Sequence, residues 1–264
     1  MASEREEEQP RTLKTVERTA QILEALETLE GAGVTELADH LDMSKSTAYH
    51  YLATLRQEDL VVKSDDQYDL SLQFLLSGEY VRNRNLLYKY GREEVEELAE
   101  DTGEYANLFT EEHGVGINLY KVRGSDAVGT GYQTGKLQRP DYLHCTATGK
   151  AILAFLPRER VDGILDQHGL PEQTAHTITD RDALFDELER VRERGYAHND
   201  EEEVEGLRAV GAPVIDRNDN VLGSLSVAGP TSRLKDEQFE SVLPEKVRSA
   251  ANVIEVNVNM ATHD

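Results

Sequence analysis

The spacing of apolar residues between Thr15 and Leu70 is the feature that most narrows what this chain can become. Val16, Ala20 and Leu23, flanked by Ile22, Leu26 and Leu29, recur at i, i+3 and i+4 and stop at Glu30-Gly31-Ala32-Gly33, which predicts a first amphipathic helix. Thr35 is placed to cap a short second helix, Glu36 to Leu41, with Leu37, Ala38 and Leu41 on its inner face. After a turn at Asp42-Met43, Ser44 is placed to cap a third helix that ends near Gln57 and turns Ala48, Leu52 and Leu55 inward. Leu60 to Leu70 then predicts two short strands around the polar turn Asp65-Asp66. Three helices followed by a hairpin is the layout of a winged helix-turn-helix.

Beyond it, Leu72, Leu75, Leu76, Tyr80, Leu87 and Tyr90 continue a helical stripe, weakened at Gly78 by about 1 kcal/mol relative to Ala. This predicts a connecting and dimerising helix. A charged helix at 92 to 101 stops at Gly103, and strands follow at Tyr105 to Thr110, Val115 to Val122 and Asp126 to Tyr132. A small-residue loop at His144 to Lys150 leads into a helix through Ala154, and a helix at 180 to 194 is capped by Thr179 and closed by Gly195. Ala209 to Ile215 and Val221 to Ala228 form a hairpin, and a terminal helix with Pro244 in its first turn runs through Ala250, Ile254 and Val258. The expected class is α+β, with a DNA-binding domain at 1–75, a linker helix at 76–91 and a second domain at 92–264.

Charge argues against nucleic acid at first sight. The chain holds 28 Lys and Arg against 51 Asp and Glu, a net charge of -23. Residues 1–84 hold 9 basic against 17 acidic side chains, which is -8, and the remaining 180 hold 19 against 34, which is -15. So even an excess resembles a halophile's surface, and at molar salt the Debye length falls to roughly 3 Å, leaving only close contacts to count. No apolar run reaches the roughly 20 residues of a membrane span, and Met1 to Glu8 has no signal-peptide character, so the expectation is a cytoplasmic protein. Cys145 is the single cysteine, which excludes an internal disulfide and a Cys-rich zinc module.

Two stretches carry chemistry. Met43 to Gln57 contains no Asp or Glu. Ser44, Lys45, Ser46 and Thr47 stand at the end that enters a major groove in helix-turn-helix proteins, Tyr49 and His50 follow about half a turn later, and Arg56 closes the helix. Thr35 and the wing residue Lys63 complete the candidates for DNA contact. In the second domain, Thr146-Ala147-Thr148-Gly149 leads into a helix, a place where free backbone N–H groups favour a carboxylate. Cys145 beside His144 is no catalytic pair, because neighbours in an extended segment point to opposite faces; a buried packing cysteine near the pocket is expected. His198 with Asp200 to Glu203 reads as a solvated acidic run and not as a metal site, and Gly129, Gly131 and Gly135 do not match a dinucleotide fingerprint. No cofactor or metal is expected.

Several motifs together resemble one family. Ser44-Lys-Ser-Thr-Ala-Tyr-His-Tyr-Leu-Ala-Thr-Leu55, Leu143-His-Cys-Thr-Ala-Thr-Gly-Lys-Ala151, Thr177-Ile-Thr-Asp180, Gly195-Tyr-Ala197, Val210-Gly-Ala-Pro-Val214 and Leu225-Ser-Val-Ala-Gly-Pro230 are similar, in order and spacing, to the IclR-type transcriptional regulators. The resemblance implies a winged helix joined to a GAF- or PAS-like effector domain with a curved antiparallel sheet. It also implies a double-stranded DNA operator as partner, a small-molecule effector, and a homodimer or dimer of dimers. His50 stands where the family carries Arg, which removes a bidentate guanine contact. The family's pocket falls on Ala147 and Thr148 as backbone donors, with Cys145 and Thr146 beside them. Asn199 replaces its Asp with Asp200 adjacent, Ala209 replaces its Cys, Ser226 is kept, and Ala228 replaces its second Ser. Three changed polar anchors imply a ligand unlike pyruvate or glyoxylate, such as a hydroxylated organic or sugar acid, or a pocket that binds nothing. The function expected is a ligand-responsive regulator of a catabolic operon. A sensor that acts through protein partners without DNA is the alternative, and an enzyme is not expected because no acid-base or nucleophile set has specific spacing.

Overall fold

The computed structural model of the chain describes residues 12–129, 131 and 140–262, which form two compact units, one ending at Val81 and the other starting at Arg82. The first unit follows the apolar spacing closely. Helices α1 (Lys14–Thr28), α2 (Val34–His40) and α3 (Lys45–Gln57) are followed by β1 (Val61–Ser64) and β2 (Gln67–Leu70), paired antiparallel with Ser64 opposite Gln67. Ile22, Leu26, Leu37, Leu52, Leu55, Val61 and Tyr68 form its core. Ala32 bonds both ways to Tyr68 at 2.9 Å, adding a third rung to the wing. That rung explains one correction. The backbone leaves it at Gly33, which is itself the N-cap of α2 and caps with no side chain, so Thr35 lies exposed inside the first turn and is not the cap.

The helical stripe from Leu72 to Tyr90 is divided, not continuous. Helix α4 (Gln73–Arg84) ends before Asn85, whose side chain accepts the Tyr88 N–H at 3.3 Å and starts α5 (Leu86–Thr102). Gly91 does not end a helix; it lies buried within α5, where a Cβ would come 3.0 Å from Leu108 and 3.3 Å from Ile254. A glycine that reads as a boundary is therefore a point of close packing.

The second unit is a five-stranded antiparallel sheet in the order β4-β3-β7-β6-β5, with β3 (Tyr105–Glu112), β4 (Val115–Arg123), β5 (Ala197–Asp200), β6 (Leu207–Ile215) and β7 (Val221–Pro230). Alternation assigns its faces. Ala106, Leu108, Val210, Ala212, Val214, Leu225 and Val227 join α5 and the terminal helix α9 (Leu243–Ala261) in one core. The other face meets α6 (Ala147–Leu153), which packs with α7 (Arg158–His168) and α8 (Arg181–Arg194) in a second core. Pro244 lies in the first turn of α9, which follows a π-helical turn at Gln238–Val242.

Three further expectations change. Helix α8 is capped by Asp180, which accepts the Ala183 N–H at 2.9 Å, and not by Thr179. No strand occupies 126–129, where the Ala127 N–H bonds back to the Gly124 carbonyl at 3.3 Å in a turn; Thr130 and Tyr132 lie outside the described residues. Helix α7 and strand β5 appear where no element was expected. Val161, Ile164 and Leu165 of α7 recur at i, i+3 and i+4 and were overlooked in the sequence, whereas β5 buries only Ala197 among its apolar residues and gives no alternation.

Candidate functional site

Six of the nine DNA-facing candidates, Ser44 to His50 without Ala48, lie on one helix end. Ser44 caps α3, its Oγ accepting the Thr47 N–H at 3.1 Å and lying 2.8 Å from the Thr47 hydroxyl. Lys45, Ser46, Thr47, Tyr49, His50 and Arg56 are all exposed, while Ala48, Leu52 and Leu55 hold the helix to its core. The Tyr49 and His50 rings meet edge to face at 5.8 Å, giving one aromatic step on the outer face. Arg56 lies 11 residues after Lys45, roughly 16 Å along the axis, so the two cannot read the same base pair. Lys63 lies 5.4 Å above the Tyr68 ring and 3.7 Å from Asp66, which ties it to the wing. Thr35 and Lys63 thus belong to other elements than the shared face at 44–50.

In the second unit a cleft opens between α6 and the sheet, with about 390 Å³ of empty space including its mouth. Thr146, Ala147, Thr148, Asn199, Ala209, Ser226 and Ala228 line it. Cys145 and Asp200 do not. Cys145 is 2% exposed with its Sγ 3.8 Å from the Tyr142 carbonyl, and Asp200 turns outward into a two-point ion pair with Arg208 at 2.6 and 3.1 Å. Asn199 is buried but its Oδ1 already accepts the Glu202 N–H at 2.9 Å.

The register explains how these residues meet. Asn107 pairs with Ser226, and Ser226 with Gly211; two positions along, Ala228 pairs with Ala209 and Ala209 with Asn199, so both rows face α6. Ala147, Ala209 and Ala228 touch one another, and a Cβ on Gly211 would come 2.8 Å from the Ala147 carbonyl carbon. Small residues on the sheet therefore let the start of α6 come close. Thr146 caps that helix by accepting the Gly149 N–H at 3.0 Å, and Ser224 donates to the Thr148 carbonyl at 3.0 Å.

Sequence reasoning missed Asn107, Phe109, Asn118, Lys121, Asp141, Glu203 and Leu207, which complete the lining. Asn118 and Lys121 are three apart and should point to opposite faces of β4. A bulge at Leu108/Phe109 sets Leu108 opposite Tyr120 but Phe109 opposite Asn118, and this extra residue brings both to the cleft.

Behind the cleft, Lys150 is 2% exposed and pairs with the buried Glu202 instead of facing a ligand. Burial pushes the Glu202 carboxyl above its ordinary range, and Lys150 opposes the shift. Glu187 on α8, which burial would raise, is held below its usual value by Lys150, Arg190 and Arg194. The Thr177 hydroxyl donates to the Glu202 carbonyl at 2.6 Å and Thr174 to that of Glu201 at 2.7 Å, fixing the turn after β5. His144 and His198 are both held below the ordinary imidazole value, first by burial. Among the described residues no group of His, Cys, Asp and Glu is arranged to hold a metal ion, and no helix is long and apolar enough to cross a membrane.

Comparison with known proteins agrees with this division. Residues 15–65 match the IclR helix-turn-helix domain and residues 78–256 the C-terminal domain of the bacterial transcriptional regulator IclR. The chain is 39% identical over 254 residues to the probable HTH-type transcriptional regulator ArcR of Halobacterium salinarum, covering 96% of this chain and 97% of that protein. It is 31% identical to the HTH-type transcriptional regulator KdgR of Escherichia coli, over 100% of this chain and 99% of that one. The crystal structure of the Thermotoga maritima IclR superposes with a TM-score of 0.73 at 27% identity, covering 94% of this chain and 100% of that one. These relatives are named as regulators and none as an enzyme. The chain belongs to the IclR family of DNA-binding transcriptional regulators.

Proposed function

We propose that this chain is a cytoplasmic, ligand-responsive regulator of a catabolic operon, which lays the start of α3 into the major groove of its operator and answers to a small organic or sugar acid. The observation that carries the reading is the outer face of α3. Seven polar or aromatic side chains from Lys45 to Arg56, Thr54 among them, are exposed there with no carboxylate among them, in a chain whose net charge is -23. Ser44, its hydroxyl engaged in the cap, positions the helix, while Lys45, Ser46 and Thr47 approach the DNA and Arg56 and Lys63 reach phosphates.

The effector reading rests on the cleft. The N–H groups of Ala147 and Thr148 in the first turn of α6 meet the carboxylate, with Thr146, Ala209, Ser226 and Ala228 shaping the space around it. The homodimer, or dimer of dimers, forms on α4, which buries none of its own residues. Leu72 just before it and Leu75, Leu76, Tyr80 and Val81 along it are each at least 63% exposed, a contiguous apolar face of the kind that marks a protein contact. The acidic surface and the relative in Halobacterium salinarum support work in concentrated salt.

The experiment is a gel shift on DNA upstream of the chain's own gene, in molar KCl. A retarded band that survives molar salt and disappears when the acid is added supports the whole reading. Binding that falls steadily from 0.1 M salt upward, at the usual slope of about -0.9 per phosphate contact, removes the halophile part. No retardation on any fragment by a chain that still binds an acid turns the reading into the sensor that acts through protein partners.

A further inference from the structure

We propose that Asn107 and Asn118 form a hydroxyl-reading wall of the effector cleft, so that its ligand is a monocarboxylic acid with at least two hydroxyl groups on the carbons away from the carboxylate. This deepens the effector reading above and rests on it. Asn199 and Asp200, the sequence's candidates for this task, are engaged elsewhere, by the Glu202 N–H and by Arg208. Asn107 and Asn118, in contrast, line the cleft, and their buried Oδ1 atoms have no hydrogen-bond partner among the described residues.

Asn107 is 8% exposed, in the middle of the sheet, where its Nδ2 donates to the Ser226 Oγ at 3.4 Å. Asn disfavours strands, and an unmet buried amide end is costly, so packing alone gives no reason for either asparagine. The bulge that turns Asn118 to the same face as Asn107 adds a second, independent device with the same result.

The chemistry then selects the ligand. A hydroxyl both donates and accepts, so it satisfies whichever end of a carboxamide faces it. A methylene or an aromatic C–H satisfies neither. A second carboxylate would meet two amide oxygens together with the Asp141 and Glu203 carboxyl groups that line the same cleft, against a single cation, Lys121, among the described residues. Diacids are excluded on that ground, whereas aldonates and other polyhydroxy acids fit.

The test is calorimetric titration of the full chain in molar KCl with a matched six-carbon series: hexonates of differing hydroxyl configuration, hexanoate, adipate and glucitol. At least one hexonate should bind tenfold or more tightly than hexanoate, with adipate weakest of the acids. Asn107→Leu and Asn118→Leu should each reduce the hexonate-to-hexanoate preference about tenfold, or 1.4 kcal/mol. The wild-type series decides even if Asn107→Leu fails to fold, since Asn118 lies nearer the surface and serves as the second variant. Hexanoate binding as well as every hexonate overturns the wall and leaves the carboxylate site standing. Glucitol binding as well as a hexonate overturns the carboxylate and keeps the wall. No binding by any member overturns both.

Discussion

The two units solve opposite problems with their polar residues. In the first, the polar groups aligned for function are exposed on α3 and the core is apolar, from Ile22 to Tyr68. In the second, polar groups are drawn inside: Asn107, His144, Thr146, Thr148, Lys150, Asn199, Glu202, Ser224 and Ser226 are all buried. A partner as large and stiff as a duplex is met by a surface that needs only one helix to hold its shape. A small ligand has to be surrounded, so the cleft draws on all five strands and a helix and pays the desolvation of each group it turns inward.

The comparison can be broken most directly at Lys150. Lys150→Met leaves Glu202 buried without its cation, which should destabilise the second unit by about 3–5 kcal/mol in denaturant unfolding and leave the first unit's transition in place. A loss under about 1 kcal/mol would show that water reaches the pair and that the second unit is not built inward. On the outward-facing side, Lys45→Ala combined with Thr47→Ala should weaken operator binding about a hundredfold, or 2.7 kcal/mol, with unfolding unchanged within about 0.5 kcal/mol. Gel shift together with thermal melting checks this, and equal losses in both would mean that the exposed face of α3 is structural.

Acid should sharpen the contrast further. Burial holds His144 and His198 below the ordinary value of about 6.5, so the unfolded chain binds their protons more readily than the folded one. Their contribution is present above pH 6.5 and is lost as pH falls below it. Melting of the second unit should therefore shift downward between pH 7 and 5, and His144→Gln should flatten part of that slope. The smallest effect is expected on the wing. Of the eight non-glycine residues with left-handed φ among the described residues, seven are acidic, namely Glu30, Asp42, Asp59, Asp65, Glu201, Asp219 and Asp236, so carboxylates occupy turns where Asn or Gly serve as well. Asp65→Asn should change stability by less than about 0.5 kcal/mol and raise DNA affinity at 0.1 M salt but not in molar KCl, where screening has already removed the repulsion. An unchanged affinity at low salt would place the wing away from phosphate.

The same contrast decides what could be read in advance. The winged helix-turn-helix from α1 to β2 was legible, because each of its helices carries its own apolar stripe and the candidate groove-facing residues lie together at the start of α3. In the second unit the Thr146 to Gly149 loop, Ser226 and the alanines were legible through motif spacing, whereas Asn107, Asn118 and Asp141 carried no local signal. The helix break at Asn85 was hidden because its two flanks share one stripe, and Gly91 read as an end because a sequence does not show Leu108 and Ile254 on the far side.

Taken by itself, the sequence determined the winged helix-turn-helix, the capped and acid-free α3, the family and the acidic surface, all of which depend on neighbours within a few turns of chain. Only the tertiary structure decided which polar groups face the effector cleft. Strand register and the bulge at Leu108/Phe109 bring Asn107 and Asn118 into it, and ion pairs with Glu202 and Arg208 take Lys150 and Asp200 out. Side-chain direction in a sheet alternates with every residue, so a shift of one position reverses a face, and no local pattern records where that shift occurs.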